Sequence, residues 1–285
     1  MKNSINKTIA LLFSSTAKNT GIIFIGNAVS SIFGILFAII SAYFLTTESW
    51  GIVASVRNLI IILIAVADLG LGAAFFQYAS GIWRDQPKKA EQEYKKIFAL
   101  RIISGLLFSL ILLSFSGAIS KVAFGFIDHN LIYLTVLGFA GVLLLDFQVF
   151  AIQAKHNWKN ASFLIALTNI LRVIFLLVLI WITKVNQLNV IFVFSVSGVF
   201  AFLTGLISLP YLPVLKFDLK EVLRKFGGFS FWMSLNKIVS TTATRLDVLL
   251  VLQVLGAYKA GIYGLSSTLA VGVPLIIGSF ATVLA

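Results

Sequence analysis

Residues 26–80 read GNAVSSIFGILFAIISAYFLTTESWGIVASVRNLIIILIAVADLGLGAAFFQYAS, two apolar blocks separated by the short turn TTESW (46–50). A helix needs about 20 apolar residues to cross a hydrocarbon core about 30 Å thick. Both blocks meet that length. The stretch therefore predicts two membrane-spanning helices joined by a tight turn, one from about Thr20 to Leu45 and one from Gly51 to about Tyr78.

The composition of the whole chain agrees with this reading. Hydrophobic residues make up 59% of the 285, and charged residues only 11%, whereas soluble domains carry about 25% charged residues. The segments of about ten residues with alternating polarity that mark a membrane barrel do not occur. The sequence predicts an all-α integral membrane protein with about eight transmembrane helices.

Six further apolar blocks supply the remaining spans. They are predicted at about Phe98–Ile119, Leu131–Ala154, Ala161–Thr183, Val190–Leu212, Gly228–Leu255 and from near Ala260 to Ala285. The last block has no polar tail after it. We therefore expect the chain to be a fragment of a longer protein.

The loops between the spans carry most of the positive charge, and the net charge is +12. Fifteen Lys and Arg residues, Arg101 among them, fall at the end of the bundle that holds the N-terminus, against three at the other end, Lys121, Lys184 and Lys259. Positive charge accumulates on the cytoplasmic side of membrane proteins. The N-terminus is therefore predicted to be cytoplasmic.

Several kinds of chemistry are excluded or disfavoured by the residues present. The chain has no cysteine and only two histidines, in separate loops, so neither a disulfide nor a Cys or His metal site is expected. It lacks a Walker loop and a G-x-S-x-G motif, and its longest loop is too short for a nucleotide-binding domain. We expect no cofactor and no enzymatic activity, and a secondary transporter or flippase fits better.

Ionisable residues inside the spans are the candidate functional groups, because each costs a few kcal/mol in lipid unless it faces a partner or water. Such residues occur in the second, fourth, fifth and seventh predicted spans: Arg57, Asp68, Asp146, Arg172, Lys237, Arg245 and Asp247. The seventh span is the most polar, with Ser, Thr and Lys on one helical stripe. That stripe is expected to line a cavity or to be buried in protein.

The cations among these residues predict a mildly cationic, hydrated cavity lined by Arg57, Arg172, Lys237 and Arg245. Guanidinium groups suit phosphates and carboxylates, so the implied cargo is anionic. The three acids, Asp68, Asp146 and Asp247, are candidates for ion coupling or for structural pairing. Bland alternatives stay open: Asp146 could pair with Arg172, and Lys237 could extend to the headgroups.

A weak internal repeat suggests two related halves. Shifting the sequence by 210 residues aligns FLTTESWGIVAS (44–55) with VLGAYKAGIYGL (254–265), so that Leu45 meets Leu255, Gly51 meets Gly261 and Ile52 meets Ile262. Same-direction repeats separated by an even number of helices are typical of transporters built from two parallel halves.

The residues of these two segments also carry a resemblance to a known family. The opening stretch resembles the N-terminus of polysaccharide flippases of the multidrug/oligosaccharidyl-lipid/polysaccharide (MOP) exporter superfamily. The matching features are a turn from Leu45 to Trp50-Gly51 and DLGL at 68–71. RLDVLLVLQVLGAYKAGIYGLSSTLA (245–270) resembles the seventh and eighth helices of that family.

The resemblance implies two six-helix lobes, often with two extra helices, around a V-shaped cavity. It divides this chain into a cytoplasmic tail (1–19), an N-terminal six-helix lobe (20–213), a cytoplasmic linker (214–227) and the start of a second lobe (228–285). The implied cargo is an undecaprenyl-pyrophosphate-linked oligosaccharide, such as an O-antigen unit, moved across the bacterial inner membrane. The implied partners are this glycolipid, membrane lipid and other polysaccharide-assembly proteins, with no nucleic acid.

Two other functions stay open at this point. An ion-coupled multidrug exporter of the same superfamily would need a net acidic cavity, whereas here the cations are at least as numerous as the acids. A membrane-embedded glycan polymerase or ligase would need a large outer loop with catalytic Arg or His, and the predicted outer loops are short.

Overall fold

The computed structural model describes residues 15–214 and 217–270, and for 15–18 and 20 it describes the backbone only. Within these ranges all the regular structure is helical. The helices are α1 (Ser15–Phe44), α2 (Thr47–Ala67), α3 (Leu71–Ile82), α4 (Pro87–Ser114), α5 (Ser116–Phe124), α6 (His129–Ala154), α7 (Trp158–Ile182), α8 (Gln187–Ser208) and α9 (Leu219–Ala270). By length and apolar composition, seven of them can cross a membrane: α1, α2, α4, α6, α7, α8 and α9.

The longest helix, α9, is folded back on itself at Gly256. This residue has φ 83° and ψ 171°, a conformation that glycine reaches without a Cβ clash. Tyr263 Oη donates a hydrogen bond of 2.6 Å to Asp247 Oδ2, although sixteen residues of straight helix would place them about 24 Å apart. α9 thus consists of two antiparallel arms, 219–255 and 257–270, which correspond to the seventh and eighth predicted spans. Residues 271–285 of the eighth span lie outside the described part of the chain.

The predicted second span is interrupted, so a single helix from Gly51 to Tyr78 is wrong. α2 ends at Ala67, and two consecutive residues with positive φ, Leu69 (53°) and Gly70 (66°), separate it from α3. A methyl group on Gly70 would overlap the carbonyl oxygen of Ser230 in α9. The break therefore brings the α2–α3 backbone against the first arm of α9.

Several helices extend beyond the apolar blocks into polar sequence. α4 begins at Pro87, so most of the charged segment 83–96 is helical and not a loop, with proline at the helix start and a 2.6 Å Lys95–Glu91 ion pair one turn apart. α1 begins at Ser15, within the predicted tail, and α9 begins at Leu219, within the predicted linker. Lys, Glu and Arg favour helix, and polar turns can extend past the hydrocarbon into water.

The two ends of the bundle differ, and we name them for the description that follows. The turn end carries the break at Leu45–Thr46 and the fold of α9 at Gly256, and the basic end carries most of the lysines and arginines. A buried apolar core occupies each half. The turn-end core includes Phe37, Trp50, Phe139 and Phe194, and the basic-end core is rich in packed aromatic rings, including Phe75, Tyr94, Phe98 and Phe147.

Candidate functional site

The seven ionisable residues singled out in the sequence fall into three places. Arg57, Arg172 and Arg245 lie near one another, and Asp68, Asp146 and Lys237 meet in a second group. Asp247 follows Arg245 by two residues but is bonded to Tyr263 and belongs to neither group. We call the first group the arginine cluster and the second, which also contains Arg101, the ion-pair cluster. Lys237 is thus separated from the three arginines with which the sequence grouped it.

The arginine cluster is organised around aromatic rings of the turn-end core. The guanidinium carbon of Arg172 lies 3.7 Å from the centroid of the Phe194 ring, and that of Arg57 lies 5.4 Å from the same centroid. Arg57 also lies 5.7 Å from the Trp50 ring and 5.8 Å from the Phe37 ring. Aromatic faces attract cations, so these rings hold both arginines without neutralising them.

A polar relay orients Arg172. Its Nη1 donates to Asn169 Oδ1 at 2.5 Å. The amide nitrogen of Asn169 donates to the carbonyl and hydroxyl oxygens of Ser30 in α1, at 2.9 and 2.8 Å. Because Asn169 is fixed from α1, the Arg172 guanidinium has a defined direction within the bundle.

The three arginines share a depth in the membrane. Arg57 comes ten residues after the start of α2, Arg172 ten residues before the end of α7, and Arg245 eleven residues before Gly256. Each therefore lies about 15 Å from the turn end of its helix, near the middle of a core about 30 Å thick. The charges are close enough for Arg57 to be repelled by Arg245, and Arg172 by Arg57.

This cluster has no acidic counterpart among residues 15–214 and 217–270, where none of the three guanidinium groups has a carboxylate oxygen within 4 Å. The Nε atoms of Arg57 and Arg172 are buried and make no hydrogen bond there. Uncompensated positive charge with free donors at mid-depth is costly in lipid. An anionic group would supply the missing partner.

The ion-pair cluster is balanced, with two acids and two bases. Arg101 is fully buried and donates through Nη1 to both a side-chain oxygen and the backbone oxygen of Asp68, and its Nη2 lies 3.4 Å from Asp146 Oδ2. Lys237 Nζ bridges Asp68 Oδ2 at 3.1 Å and Asp146 Oδ2 at 2.9 Å. The cluster therefore ties the α2–α3 break, α4 and α6 to the first arm of α9.

Arg101 is the member that sequence reasoning missed, because it was counted among the loop cations that set orientation. Its place inside a predicted span, three residues after Phe98, was the signal that could have found it. Asp146 pairs with Lys237 and Arg101 instead of Arg172. Asp247 accepts hydrogen bonds from Tyr263 Oη and from its neighbour Val248 N, and thereby joins the two arms of α9.

A small cavity opens beside the ion-pair cluster. It has a volume of about 240 Å³ and lies between α1, α6 and α7, where Asn27, Asp146 and Gln153 supply its polar groups. In the described part of the chain, no three His, Cys, Asp or Glu side chains are grouped so as to hold a metal ion. The cavity therefore offers one partly exposed carboxylate and two amides.

Ionisable side chains inside the spans of an all-helical bundle are typical of membrane transporters. Residues 40–284 match a family model described as "Polysaccharide biosynthesis protein", and the chain belongs to that family. Among curated proteins, none matches this sequence.

Solved structures of the MOP superfamily share the fold. The MATE multidrug transporter DinF-BH aligns with TM-score 0.71 and 14% identity over 94% of this chain and 63% of its own. A MOP superfamily transporter from Pyrococcus furiosus, whose binding pocket is described as having reverse polarity, aligns with TM-score 0.62 and 16% identity over 97% of this chain and 70% of its own. The chain thus spans 63% and 70% of these two transporters' lengths, shares their fold and is a multi-pass membrane protein.

Proposed function

We propose that this protein is a flippase for lipid-linked oligosaccharide, and that it moves undecaprenyl-pyrophosphate-linked units across the bacterial inner membrane for surface polysaccharide assembly. The N-terminus is cytoplasmic in this proposal, so the basic end faces the cytoplasm. The family match supports a role in polysaccharide biosynthesis, and the transporter fold of its structural neighbours supports movement across a membrane as the step performed.

The observation that carries the choice of cargo is that, in the described residues, no carboxylate oxygen lies within 4 Å of the guanidinium groups of the arginine cluster. A pyrophosphate head brings at least two negative charges and several acceptor oxygens, and guanidinium groups bind phosphate through paired hydrogen bonds. Arg57, Arg172 and Arg245 would hold the head at mid-depth while the polyprenyl tail stays in the bilayer. Lys237, which already bridges two aspartates, would help to hold the helices together instead.

A cationic drug is a poor match for the same cluster. Three arginines at one depth repel positive charge, and the acids inside the spans are already engaged, Asp68 and Asp146 by Arg101 and Lys237. Asp247, two residues after Arg245, accepts the hydrogen bond of Tyr263. Asp146 keeps partial exposure, 32% of its side chain, and is the remaining candidate for coupling export to an ion gradient.

Mass spectrometry of the lipid-linked glycans in cells that lack this gene tests the proposal. We expect undecaprenyl-pyrophosphate oligosaccharide to accumulate, and the wild-type gene to restore the normal pool. An unchanged pool together with new sensitivity to cationic drugs would favour the multidrug exporter. A pool that accumulates as single repeat units on the outer leaflet would favour a polymerase or ligase.

A further inference from the structure

The cavity beside the ion-pair cluster is lined by polar groups that the rest of the described chain leaves unused. Asn27 and Gln153 face it from α1 and α6, and the side-chain hydrogen bonds between α1 and α7 run through other residues. Within the described ranges neither amide makes a side-chain hydrogen bond, although each can donate two and accept two. Asp146 is similar, because Lys237 and Arg101 both contact its Oδ2. Its Oδ1 has no donor among the described residues.

Apolar side chains form the remaining wall of this cavity. They are Val142, Leu145, Val149, Phe150 and Ile165. An apolar wall with a few polar groups is the usual lining of a small-molecule site, and the cavity volume of about 240 Å³ lies below the range of about 300–1,000 Å³ that holds drug-sized ligands. A pyranose sugar has the matching character, with C–H groups on its faces and hydroxyl groups at its edge. The cavity therefore suits one sugar ring and is too small for an oligosaccharide.

The cavity and the arginine cluster lie along one continuous face of the bundle. Ile165, Asn169 and Arg172 are spaced by four and three residues, so they share one side of α7. Ile165 lines the cavity, Arg172 belongs to the arginine cluster, and Asn169 between them donates to Ser30 of α1. Ser30 in turn follows Asn27 by about one turn of α1. A ligand can therefore contact both places without crossing a helix.

The spacing of the two places fits the head of a lipid-linked sugar. Ile165 and Arg172 are seven residues apart, which is about 10 Å along α7, and a diphosphate with one pyranose ring bonded to it spans a comparable length. Because α7 begins at the basic end with Trp158, the cavity lies on the basic-end side of the arginine cluster. A diphosphate held by the arginines would therefore direct its first sugar toward the basic end and into the cavity.

We propose that this cavity is the subsite for the first sugar of the cargo, the one bonded directly to the diphosphate, and that it accepts a neutral sugar and rejects an acidic one. The inference rests on the proposed function, since the arginine cluster must hold the diphosphate for the sugar to reach the cavity. The amides of Asn27 and Gln153 bind sugar hydroxyls, Oδ1 of Asp146 accepts a hydrogen bond from another, and the ring of Phe150 packs against the sugar.

The carboxylate of Asp146 is the group that rejects an acidic sugar. It lines the cavity, whereas Lys237 and Arg101 contact it through Oδ2 and do not line the cavity themselves. A sugar carboxylate in this space would meet a charge of the same sign away from bulk water, where repulsion is strong. Specificity often comes from such a repulsive group as much as from attractive contacts. The arginines thus bind any diphosphate, and the cavity selects the sugar.

Three lipids that differ only in what caps the diphosphate test the subsite. Each is a polyprenyl diphosphate whose terminal phosphate carries a methyl group, glucose or glucuronic acid, so the methyl and glucosyl lipids have the same charge. Their affinities for the purified protein are measured in detergent by titration calorimetry. We expect the glucosyl lipid to bind about tenfold more tightly than the methyl lipid, as one or two added hydrogen bonds allow. The glucuronyl lipid should gain nothing over the methyl lipid.

Two variants change the cavity by independent routes. Asn27→Leu/Gln153→Leu removes both amides, and Val149→Phe fills the cavity without removing a polar group. In each we expect the glucosyl and methyl lipids to bind equally, while the affinity for the methyl lipid stays at the wild-type value and shows that the variant is folded. The matched control is Asn130→Leu, which removes an exposed amide at the other end of α6 and should keep the tenfold preference.

The outcomes separate this inference from the proposed function. A glucosyl preference that persists in both cavity variants would overturn the subsite, as would equal binding of the glucosyl and methyl lipids by wild type, and either result would leave the diphosphate site standing. Glucuronyl binding as tight as glucosyl binding would refute the exclusion by Asp146. Failure of all three lipids to bind wild type would overturn the proposed function and the subsite together.

Discussion

The arginine cluster and the ion-pair cluster both place arginine side chains inside the bundle, but they lie at different depths and differ in what surrounds the charge. At the ion-pair cluster each charge has an opposite partner, and Arg101 is fully buried between two aspartates. At the arginine cluster Arg57 and Arg172 face aromatic rings, and Arg245 lies near Arg57. Within the described residues, no carboxylate oxygen lies within 4 Å of any of the three guanidinium groups. Paired charges inside a membrane protein hold helices together. Unpaired charges of one sign mark a place where a ligand is expected.

Removing Arg101 should have the largest effect on stability. Arg101→Ala leaves Asp68 and Asp146 with only Lys237, and breaking a buried ion pair costs about 3–5 kcal/mol. We expect a low yield and a strongly lowered Tm in detergent. Arg84→Ala, at an exposed position between α3 and α4, is the control. A Tm within a degree or two of wild type for Arg101→Ala would show that the cluster does not hold the helices together.

Removing charge from the arginine cluster should affect export and not stability, unlike the removal of Arg101. Arg57→Gln and Arg172→Gln take away mutual repulsion, so Tm is expected to stay level or to rise, while polysaccharide export falls steeply because the head loses its partners. Export is measured as surface polysaccharide, and Tm by thermal unfolding of the purified variants. Loss of both export and stability in these variants would erase the distinction between the two clusters.

Lys237, which bridges Asp68 and Asp146 from α9, should contribute less to stability than Arg101 does. Lys237→Met removes one of two cations but leaves Asp68 bonded to Arg101, and the Lys237 side chain is 31% exposed. We expect a loss of about 1–3 kcal/mol in the free energy of unfolding, with partial retention on Lys237→Arg. A loss as large as that of Arg101→Ala would mean that α9, and not the α4 pair, dominates the cluster.

The smallest expected effect is at the fold of α9. Tyr263→Phe deletes the hydrogen bond to Asp247, and because the tyrosine is 40% exposed the cost should be about 1 kcal/mol or less. Export should stay near the wild-type level. A complete loss of export in Tyr263→Phe, with unchanged Tm, would instead place Asp247 in the transport path.

The spans were predictable from sequence because apolar length and helix geometry are local properties. The residues near Asp68 show the limit of prediction from local properties. Nothing local required Leu69 to take a positive φ, and the break became explicable only once Gly70 was seen against Ser230 of α9. The start of α4 at Pro87 could not be predicted from the sequence, because a run of charged residues is equally compatible with a loop and with a helix that extends into water.

The site was predictable in residue type but not in grouping. The cations Arg57, Arg172 and Arg245 could be picked out from the sequence because they interrupt apolar blocks, and the anionic cargo inferred from them stays a prediction. Lys237 was grouped with them because its partners lie 169 and 91 residues away in the chain, a separation that helical spacing does not address. The 210-residue repeat rests on few matching residues, yet two of them, Gly51 and Gly261, are in contact in the structure.

The central claim is that the arginine cluster binds an anionic head, and thermal unfolding with a defined lipid tests it most directly. Purified protein is titrated with a polyprenyl diphosphate in detergent, with the matching uncharged polyprenol as the reference, and Tm is recorded. A ligand that binds the folded state raises Tm, so the diphosphate should raise it for wild type and for Arg84→Ala, and should not for the Arg57→Gln/Arg172→Gln double variant. Equal Tm increases in all three proteins, or an equal response to the uncharged polyprenol, would contradict the account.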